Sequence, residues 1–309
     1  MEAGRVTTRR SGARAMTSLK AAATRAAIRL ARGVYRATPF RPLREAYFQA
    51  FLRLVRGRRV VRTVEGMTFE LDLGELIDVG VFLEQFERDL VALIEQLTQP
   101  GATVLDIGAN VGAHTLRFAK HVGPSGRVFA FEPTDYAYRK LVRNVSLNAD
   151  STPHVEALQL ALGEERAVRQ TVGFRSSWRS DGQQNTASSI VDFATLDAWC
   201  GERGITGVDL IKLDVDGHEY PVLAGGREIL RRSLPIVLIE AGAYHFTHAD
   251  RNPLALLKDL GYRFWNTDSL DEYADLQAIR RRLPAEDDHM DSSINVLAMT
   301  KPVQLRPSR

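Results

Sequence analysis

From Ala102 onward the chain alternates short apolar runs with amphipathic stretches, and this alternation limits the fold more than any other feature of the sequence. "ATVLDIGAN", "GRVFAFEP", "VEALQLALG", "DLIKLDV" and "PIVLIEAG" are apolar runs of strand length, each followed by a turn or polar segment. Between them, residues 112–121, 135–148, 220–232 and "PLALLKDLG" carry helical spacing, with Tyr138, Leu141 and Val145 forming one apolar stripe. Thr134 is placed to cap the helix over 135–148, Pro221 to open the one over 220–232, and Gly261 to end the one after Pro253. "YRFWN" and "SSINVLAMT" supply two further strands. Strands apolar along their whole length, separated by helices, predict a mostly parallel seven-stranded sheet covered on both faces, an α/β fold.

Upstream, "RTVEGMTFELDL" alternates around Glu65-Gly66 and predicts a hairpin. Residues 82–98 place Phe86, Leu90, Ile94 and Leu97 on one helical face, and Gln99-Pro100-Gly101 stops that helix. "PLREAYFQAFLRLVRG" spaces Leu43, Tyr47, Phe51 and Leu54 as an amphipathic helix, and residues 21–37 are also helix-compatible. Residues 164–208 read as polar and irregular, with one short strand around "ASSIVDFATLDAW". The expected organisation is a basic, partly disordered to helical extension over 1–59 and a single domain over 60–304.

Charge is unevenly spread. Residues 1–62 hold 16 Lys and Arg against two acids, a net of +14, while the remainder carries −11. A basic amphipathic helix can rest on an anionic membrane or pack on the acidic body, and packing on the body is the preferred reading. Weak membrane-surface contact through residues 21–60 is kept as an expectation; a specific nucleic-acid partner is not expected. The Arg-rich, acid-poor start has the composition of an organelle transit peptide, yet simple Ala/Arg usage accounts for it equally well and is preferred. No run of about 18 apolar residues exists, so no membrane span is expected. Cys200 is the only cysteine, which excludes an internal disulfide and fits a reducing cytoplasm.

The first turn of the alternating region, "DIGANVG", presents Asp106, Gly108, Asn110 and Gly112. A dinucleotide loop needs G-x-G-x-x-G, and Asn110 stands where the second glycine would let the backbone approach a pyrophosphate. That argues against an NAD-dependent oxidoreductase, which is kept as an alternative. Glu132 ends the second strand, 26 residues beyond Asp106, where an acid can accept hydrogen bonds from ribose hydroxyls. Such a turn, with an acid at its mouth and another on the second strand, describes a nucleoside site lacking a pyrophosphate, the shape of S-adenosylmethionine (SAM).

"VLDIGANVGAHT", "VFAFEP", the Ala after "LQL", "SSI", "TLDAW", "DLIKLDVDGHEYPVLAGG" and "VLIE" together resemble the FkbM family of class I SAM-dependent methyltransferases, over about residues 60–300. The resemblance implies a Rossmann-like class I methyltransferase fold and SAM as cofactor. It implies that Asp106, Gly108, Asn110 and Gly112 wrap the methionine and ribose parts, that Glu132 holds the ribose hydroxyls, and that Ala161 lies near the adenine. Asp216 stands where the family usually has Glu. The basic head lies outside the resemblance.

"LDVDGHE", Leu213–Glu219, is the carboxyl end of the fourth strand, where ligands of open α/β sheets bind. His218 is suited to deprotonate an acceptor hydroxyl near neutrality, with Asp214 or Glu219 orienting it. A simple helix-capping role for His218 is the competing reading. Lys212 is expected to pair with Asp214 or Glu240. The spacing fails for a calcium loop, since Gly217 falls two positions early and Gly225 stands where a Glu is needed. Asp214, Asp216 and Glu240 are the carboxylates a magnesium ion would use, but the reading without metal is preferred. Amino-group methyltransferases usually show "[ND]PP[YF]" after this strand; "DVDG" here argues for an oxygen acceptor. The expectation is O-methyl transfer to a hydroxyl of a small molecule, sugar or glycan, with "QQNTASSI" lining the acceptor pocket. A non-enzymatic tethering protein using the basic head is the other alternative. The expected location is cytoplasmic, peripheral to the membrane if the head engages it.

Overall fold

A computed structural model describes residues 48, 50–53, 55, 57–178, 184–283, 293–303 and 305, with backbone only for 172–178 and 184–188. The chain opens with an antiparallel hairpin, β1 (Arg59–Val64) and β2 (Met67–Asp72), turning at Glu65-Gly66 as the alternation predicts. Two helices follow, α1 (Leu76–Leu83) and α2 (Arg88–Leu97). The single helix expected over 82–98 is therefore corrected. Glu84 and Glu87 both adopt left-handed conformations, and the amides of Gln85 and Phe86 turn back onto the Gly80 carbonyl. Phe86 leaves the predicted stripe and packs on Gly80, while Leu90, Ile94 and Leu97 keep theirs.

The alternation then unfolds as expected: β3 (Thr103–Ile107), α3 (Ala113–Val122), β4 (Arg127–Phe131), α4 (Asp135–Ser146) and β5 (Val155–Leu158). "VEALQLALG" is two strands, not one. β5 stays in the main sheet, whereas β6 (Ala161–Leu162) joins a separate three-stranded sheet, where it pairs with Phe193 and Ala194. β7 (Ala167–Trp178) and β8 (Gln184–Ala194) form a long antiparallel ladder; the short strand expected around "ASSIVDFATLDAW" falls in β8, while β7 stands where an irregular segment is expected. Val168 and Ile190 are exposed on it, so its apolar residues do not mark one buried face by alternation.

Next come α5 (Leu196–Glu202), β9 (Leu210–Leu213), α6 (Glu219–Ala224), α7 (Arg227–Ser233), β10 (Ile236–Gly242), α8 (Pro253–Asp259), β11 (Arg263–Asn266), α9 (Leu276–Arg280) and β12 (Ser293–Met299). The helix expected over 220–232 breaks at Gly225-Gly226. A Cβ on Gly225 would stand 2.0 Å from the Gly163 carbonyl oxygen, and Asp197 caps α7 by accepting the amides of Glu228 and Ile229.

The main sheet is ordered β11-β12-β10-β9-β3-β4-β5, with β12 antiparallel to both neighbours and the others parallel. From β3 the chain winds outward through β4 and β5, then returns to place β9 on the other side. The crossover between β3 and β9 is the point where ligands of such sheets bind. Leu105, Ile107, Phe129, Phe131, Ile211 and Leu213 face a core closed by α5 to α8, with Trp199 edge-on to Phe129 and Phe131. On the opposite face Val104, Val128 and Leu210 meet Leu90, Ile94 and Phe118 of α2 and α3. Each large side chain removed from water here contributes about 1.5–3 kcal/mol. Cys200 is buried in the first core, where burial above all pushes its thiol up to about 11.

Phe51, Leu52 and Val55 are helical, buried, and clustered with Phe69, Leu71 and Leu116 of the body. Leu43, Tyr47 and Leu54, with the segment 21–37, lie outside the described residues. Among the described residues no helix is long and apolar enough to cross a membrane.

Candidate functional site

A cavity of about 590 Å³ opens over the β3/β9 crossover, at the carboxyl ends of the strands. The loop after β3 forms one wall. Gly108 (φ +82°) is obligatory there, because a Cβ would lie 1.8 Å from the Asp214 carbonyl oxygen. Asn110 is also left-handed, φ 49°, and its amide donates to Glu132 Oε2 at 2.9 Å. Asn110 Oδ1 is buried and has no hydrogen-bond partner among the described residues. An unmade bond at a buried acceptor costs about 1–3 kcal/mol, so this oxygen marks a place for a ligand donor.

Glu132 sits at the mouth of β4, as expected, and lines the cavity. It accepts three hydrogen bonds, from the Asn110 amide, the Thr134 amide and the Thr134 hydroxyl. Thr134 therefore does not cap α4 with its side chain; its hydroxyl is turned toward Glu132. Burial raises the Glu132 carboxyl above its ordinary range, against the lowering effect of these bonds. Two carboxylate oxygens offer about four acceptor positions, so three bonds leave room for a ligand hydroxyl. Ala161 lines the same cavity from β6 instead of from the end of β5.

Asp106 and Gly112 do not line the cavity. Asp106 is fully buried behind the loop, where Oδ2 accepts the Thr115 hydroxyl at 2.6 Å and Oδ1 lies 3.8 Å from Lys212 Nζ. Gly112 (φ +85°) is pressed against Leu141, with a Cβ position 2.8 Å from its Cδ1. Both residues shape the turn from behind.

The far wall comes from "LDVDGHE". Lys212 pairs with Asp214 at 3.0 Å and donates to the Gly108 carbonyl at 3.2 Å, tying β9 to the glycine loop. Burial alone would lower the Lys212 ammonium, but Asp214, Asp106 and Glu87 together hold it above its ordinary value. Glu240, from β10, is pushed up to about 9 by burial and by the Asp214 charge, and bonds to the Ser293 hydroxyl. Among the described residues no cluster of His, Cys, Asp and Glu has metal-holding geometry.

His218 lines the cavity and is the N-cap residue of α6, without a side-chain cap bond. Its Nε2 is buried without a partner among the described residues. The ring stands edge-on to Phe193, 5.8 Å between centroids. Burial depresses the imidazole pKa; Glu219 and Glu164 oppose this and Arg251 adds to it. Neither expected orienting residue bonds to it. Asp214 is bound to Lys212, and Glu219 turns under the loop, accepting the Val215 and Gly217 amides and His245 Nε2 at 2.6 Å.

Two residues escaped the sequence reading. His114, in the first turn of α3, is buried and bonds Glu87 Oε2 through Nε2 at 2.6 Å; both line the cavity. Burial would raise the Glu87 carboxyl, but His114 and Lys212 outweigh it and hold it at about 2. The signal was the His that ends "GANVGAH", and a Glu that the apolar period assigned to a helix interior.

The lining is thus rich in carboxyls, with Glu87, Glu132, Asp214, Asp216 and Glu240 against Lys212. A nucleoside carrying cationic groups fits this lining, and S-adenosylmethionine has both a sulfonium and an ammonium. Tyr136 and Lys140 have the Tyr-x-x-x-Lys spacing that many NAD-dependent reductases use, but they bond Glu75 and Asp78 outside the cavity.

The family model described as the Methyltransferase FkbM domain matches residues 106–264, just over half of the chain. The 2-O-methyltransferase NoeI of Sinorhizobium fredii is 28% identical over 170 residues, covering 47% of this chain and 65% of that protein. Methyltransferase sdnD of Sordaria araneosa is 27% identical over 155 residues, covering 40% of this chain and 59% of that protein. The chain therefore spans less than two thirds of the length of either relative. An FkbM methyltransferase structure from Methylobacillus flagellatus is 14% identical with a TM-score of 0.43, covering 72% of this chain and 54% of that one. The family match gives the glycine turn to a methyltransferase domain and lends nothing to an oxidoreductase or a tethering protein. It runs from Asp106 at the end of β3 to Phe264 in β11 and so takes in the crossover cavity except for Ile77, Phe86 and Glu87: the chain belongs to the FkbM family of S-adenosylmethionine-dependent methyltransferases.

Proposed function

We propose that the chain methylates a hydroxyl oxygen of a small molecule, sugar or glycan, using the unit 60–304 together with the helical residues packed on it. The observation that carries this reading is His218: a buried, unpartnered Nε2 on an imidazole whose pKa is lowered, at the carboxyl end of β9. An amine acceptor of ordinary basicity needs deprotonation before attack, whereas a hydroxyl keeps its proton until the bond forms and needs a base within reach. The likeness to a protein named as a 2-O-methyltransferase supports the same acceptor class.

In this reading Glu132 and Asn110 hold the ribose side, Gly108 admits the backbone closely, and Ala161 lies by the base. SAM supplies an electrophilic methyl whose carbon–sulfur electron pair leaves with the sulfur. His218 Nε2 takes the acceptor proton as oxygen bonds the methyl carbon. Lys212 fixes Asp214 and the Gly108 carbonyl, so the two walls keep their spacing. Glu219 positions the loop through its amides and does not touch the acceptor. Well-oriented reactants can contribute several kcal/mol, so this rigidity is itself part of the catalysis.

The test is a screen of hydroxyl-bearing acceptors with methyl-labelled SAM, followed by His218→Ala on the acceptor found. Turnover should fall by roughly 10²–10⁴ while the affinity for SAM measured by calorimetry stays within about twofold. Unchanged turnover would remove His218 from the chemistry. Label appearing only on nitrogen acceptors would overturn the oxygen assignment.

A further inference from the structure

The family resemblance gives Asp106, with Gly108, Asn110 and Gly112, to the methionine and ribose parts of the cofactor. The structure buries Asp106 behind the loop, bonded to Thr115 and beside Lys212, outside the cavity. An ammonium drawn into a cavity needs an ionised carboxylate within reach, since an unpaired buried charge is costly. Three of the other carboxyls on the lining, Asp214, Glu240 and Glu132, are committed in different ways. Asp214 is bound to Lys212, Glu240 shares the Asp214 proton network and Ser293, and Glu132 holds the loop on the ribose side.

Glu87 differs from all of these. It sits on a left-handed residue, φ 40°, that breaks the chain between α1 and α2 and puts its side chain on the cavity. His114 holds Oε2 at 2.6 Å, while Oε1 meets only Asn295 Nδ2, at the long distance of 3.5 Å. One oxygen is therefore fixed and the other keeps acceptor capacity. His114 itself is 5% exposed, and its Nδ1 is buried without a partner among the described residues. The pair thus brings an accepting carboxylate oxygen to the cavity, and an ammonium group can donate to such an oxygen. It lies at the first turn of α3, which helps to receive a carboxylate.

We propose that Glu87, held by His114, is the seat for the α-ammonium of the cofactor's amino-acid tail. The assignment rests on the reading of this cavity as the SAM site and adds a binding residue to it. A charge-assisted bond of this kind is worth roughly 1.5–3 kcal/mol, or more than tenfold in affinity.

Calorimetry with two ligands tests it. S-adenosylhomocysteine carries the amino-acid tail; 5′-methylthioadenosine has the same nucleoside and sulfur without it. Glu87→Gln should weaken S-adenosylhomocysteine by about tenfold or more and leave 5′-methylthioadenosine within about twofold. Should E87Q fail to fold, His114→Gln carries the same comparison, with a several-fold loss confined to S-adenosylhomocysteine. Equal weakening of both ligands, or of neither, overturns the assignment and leaves Glu87 a loop support. If wild-type protein binds neither ligand, the reading of the cavity as the SAM site fails instead.

Discussion

Glu219 and His245 share a 2.6 Å hydrogen bond beneath the loop that carries Asp214 and His218. Gly242 donates its amide to His245 Nδ1, which fixes the tautomer: Nε2 bears the hydrogen and donates to Glu219. The other oxygen of Glu219 accepts the Val215 and Gly217 amides. One fully buried carboxylate thus joins the end of β10 to the turn after β9.

Glu219→Ala should therefore destabilise the fold by about 3–5 kcal/mol, because it strips partners from a buried His and two loop amides. Urea unfolding measures the loss. His245→Asn, which can keep only part of the network, should cost less than Glu219→Ala. A change under about 1 kcal/mol for Glu219→Ala would show that the loop is held by other contacts.

Glu240 predicts a pH dependence. Its ordinary carboxyl value is 4.5, and burial with the neighbouring Asp214 charge moves it to about 9 in the fold. A raised carboxyl value means that the folded protein binds the extra proton. The associated stability is complete below about pH 4.5 and is lost as pH rises through about 9. Glu240→Gln keeps the neutral shape without a titrating proton. Its unfolding free energy should thus decline less than that of wild type between pH 5 and pH 9. Parallel curves in denaturant titrations at several pH values would show that Glu240 is ionised in the fold.

The sheet was legible because parallel strands buried on both faces have no polar alternation to obscure them. β3 is buried at all five positions, and β9 at all four. The hairpin at Glu65-Gly66 was legible from its turn chemistry. The β7/β8 ladder was not, since its pairing is between residues of one long polar segment and it carries exposed apolar side chains. Helix breaks were missed for a common reason. At Gly225 and at Glu84–Glu87 the interruption comes from close tertiary approach and left-handed backbone, which helical spacing does not report. At the site, strand ends placed Glu132, Asp214 and His218 on the cavity. Which carboxylate bonds which partner depends on side-chain reach across strands, as Asp106 and Glu219 show by turning away from it.

Gly108 gives the strictest test of how the two walls of the cavity fit. Its φ of +82° already disfavours any side chain, and a Cβ would fall 1.8 Å from the Asp214 carbonyl oxygen, which is backbone and cannot swing aside. Lys212 spans the same gap by donating to the Gly108 carbonyl. Gly108→Ala must force β3 and β9 apart at their carboxyl ends, at a cost of about 2 kcal/mol or more from strain and overpacking together. Gly261, φ +89° with nothing near its Cβ position, is the control: it carries a positive-φ penalty without the collision. Gly108→Ala should lower the unfolding midpoint more than Gly261→Ala does, and it alone should weaken S-adenosylhomocysteine binding. Equal effects of the two substitutions on both measurements would mean that the close approach of Gly108 to Asp214 does not set the geometry of the site.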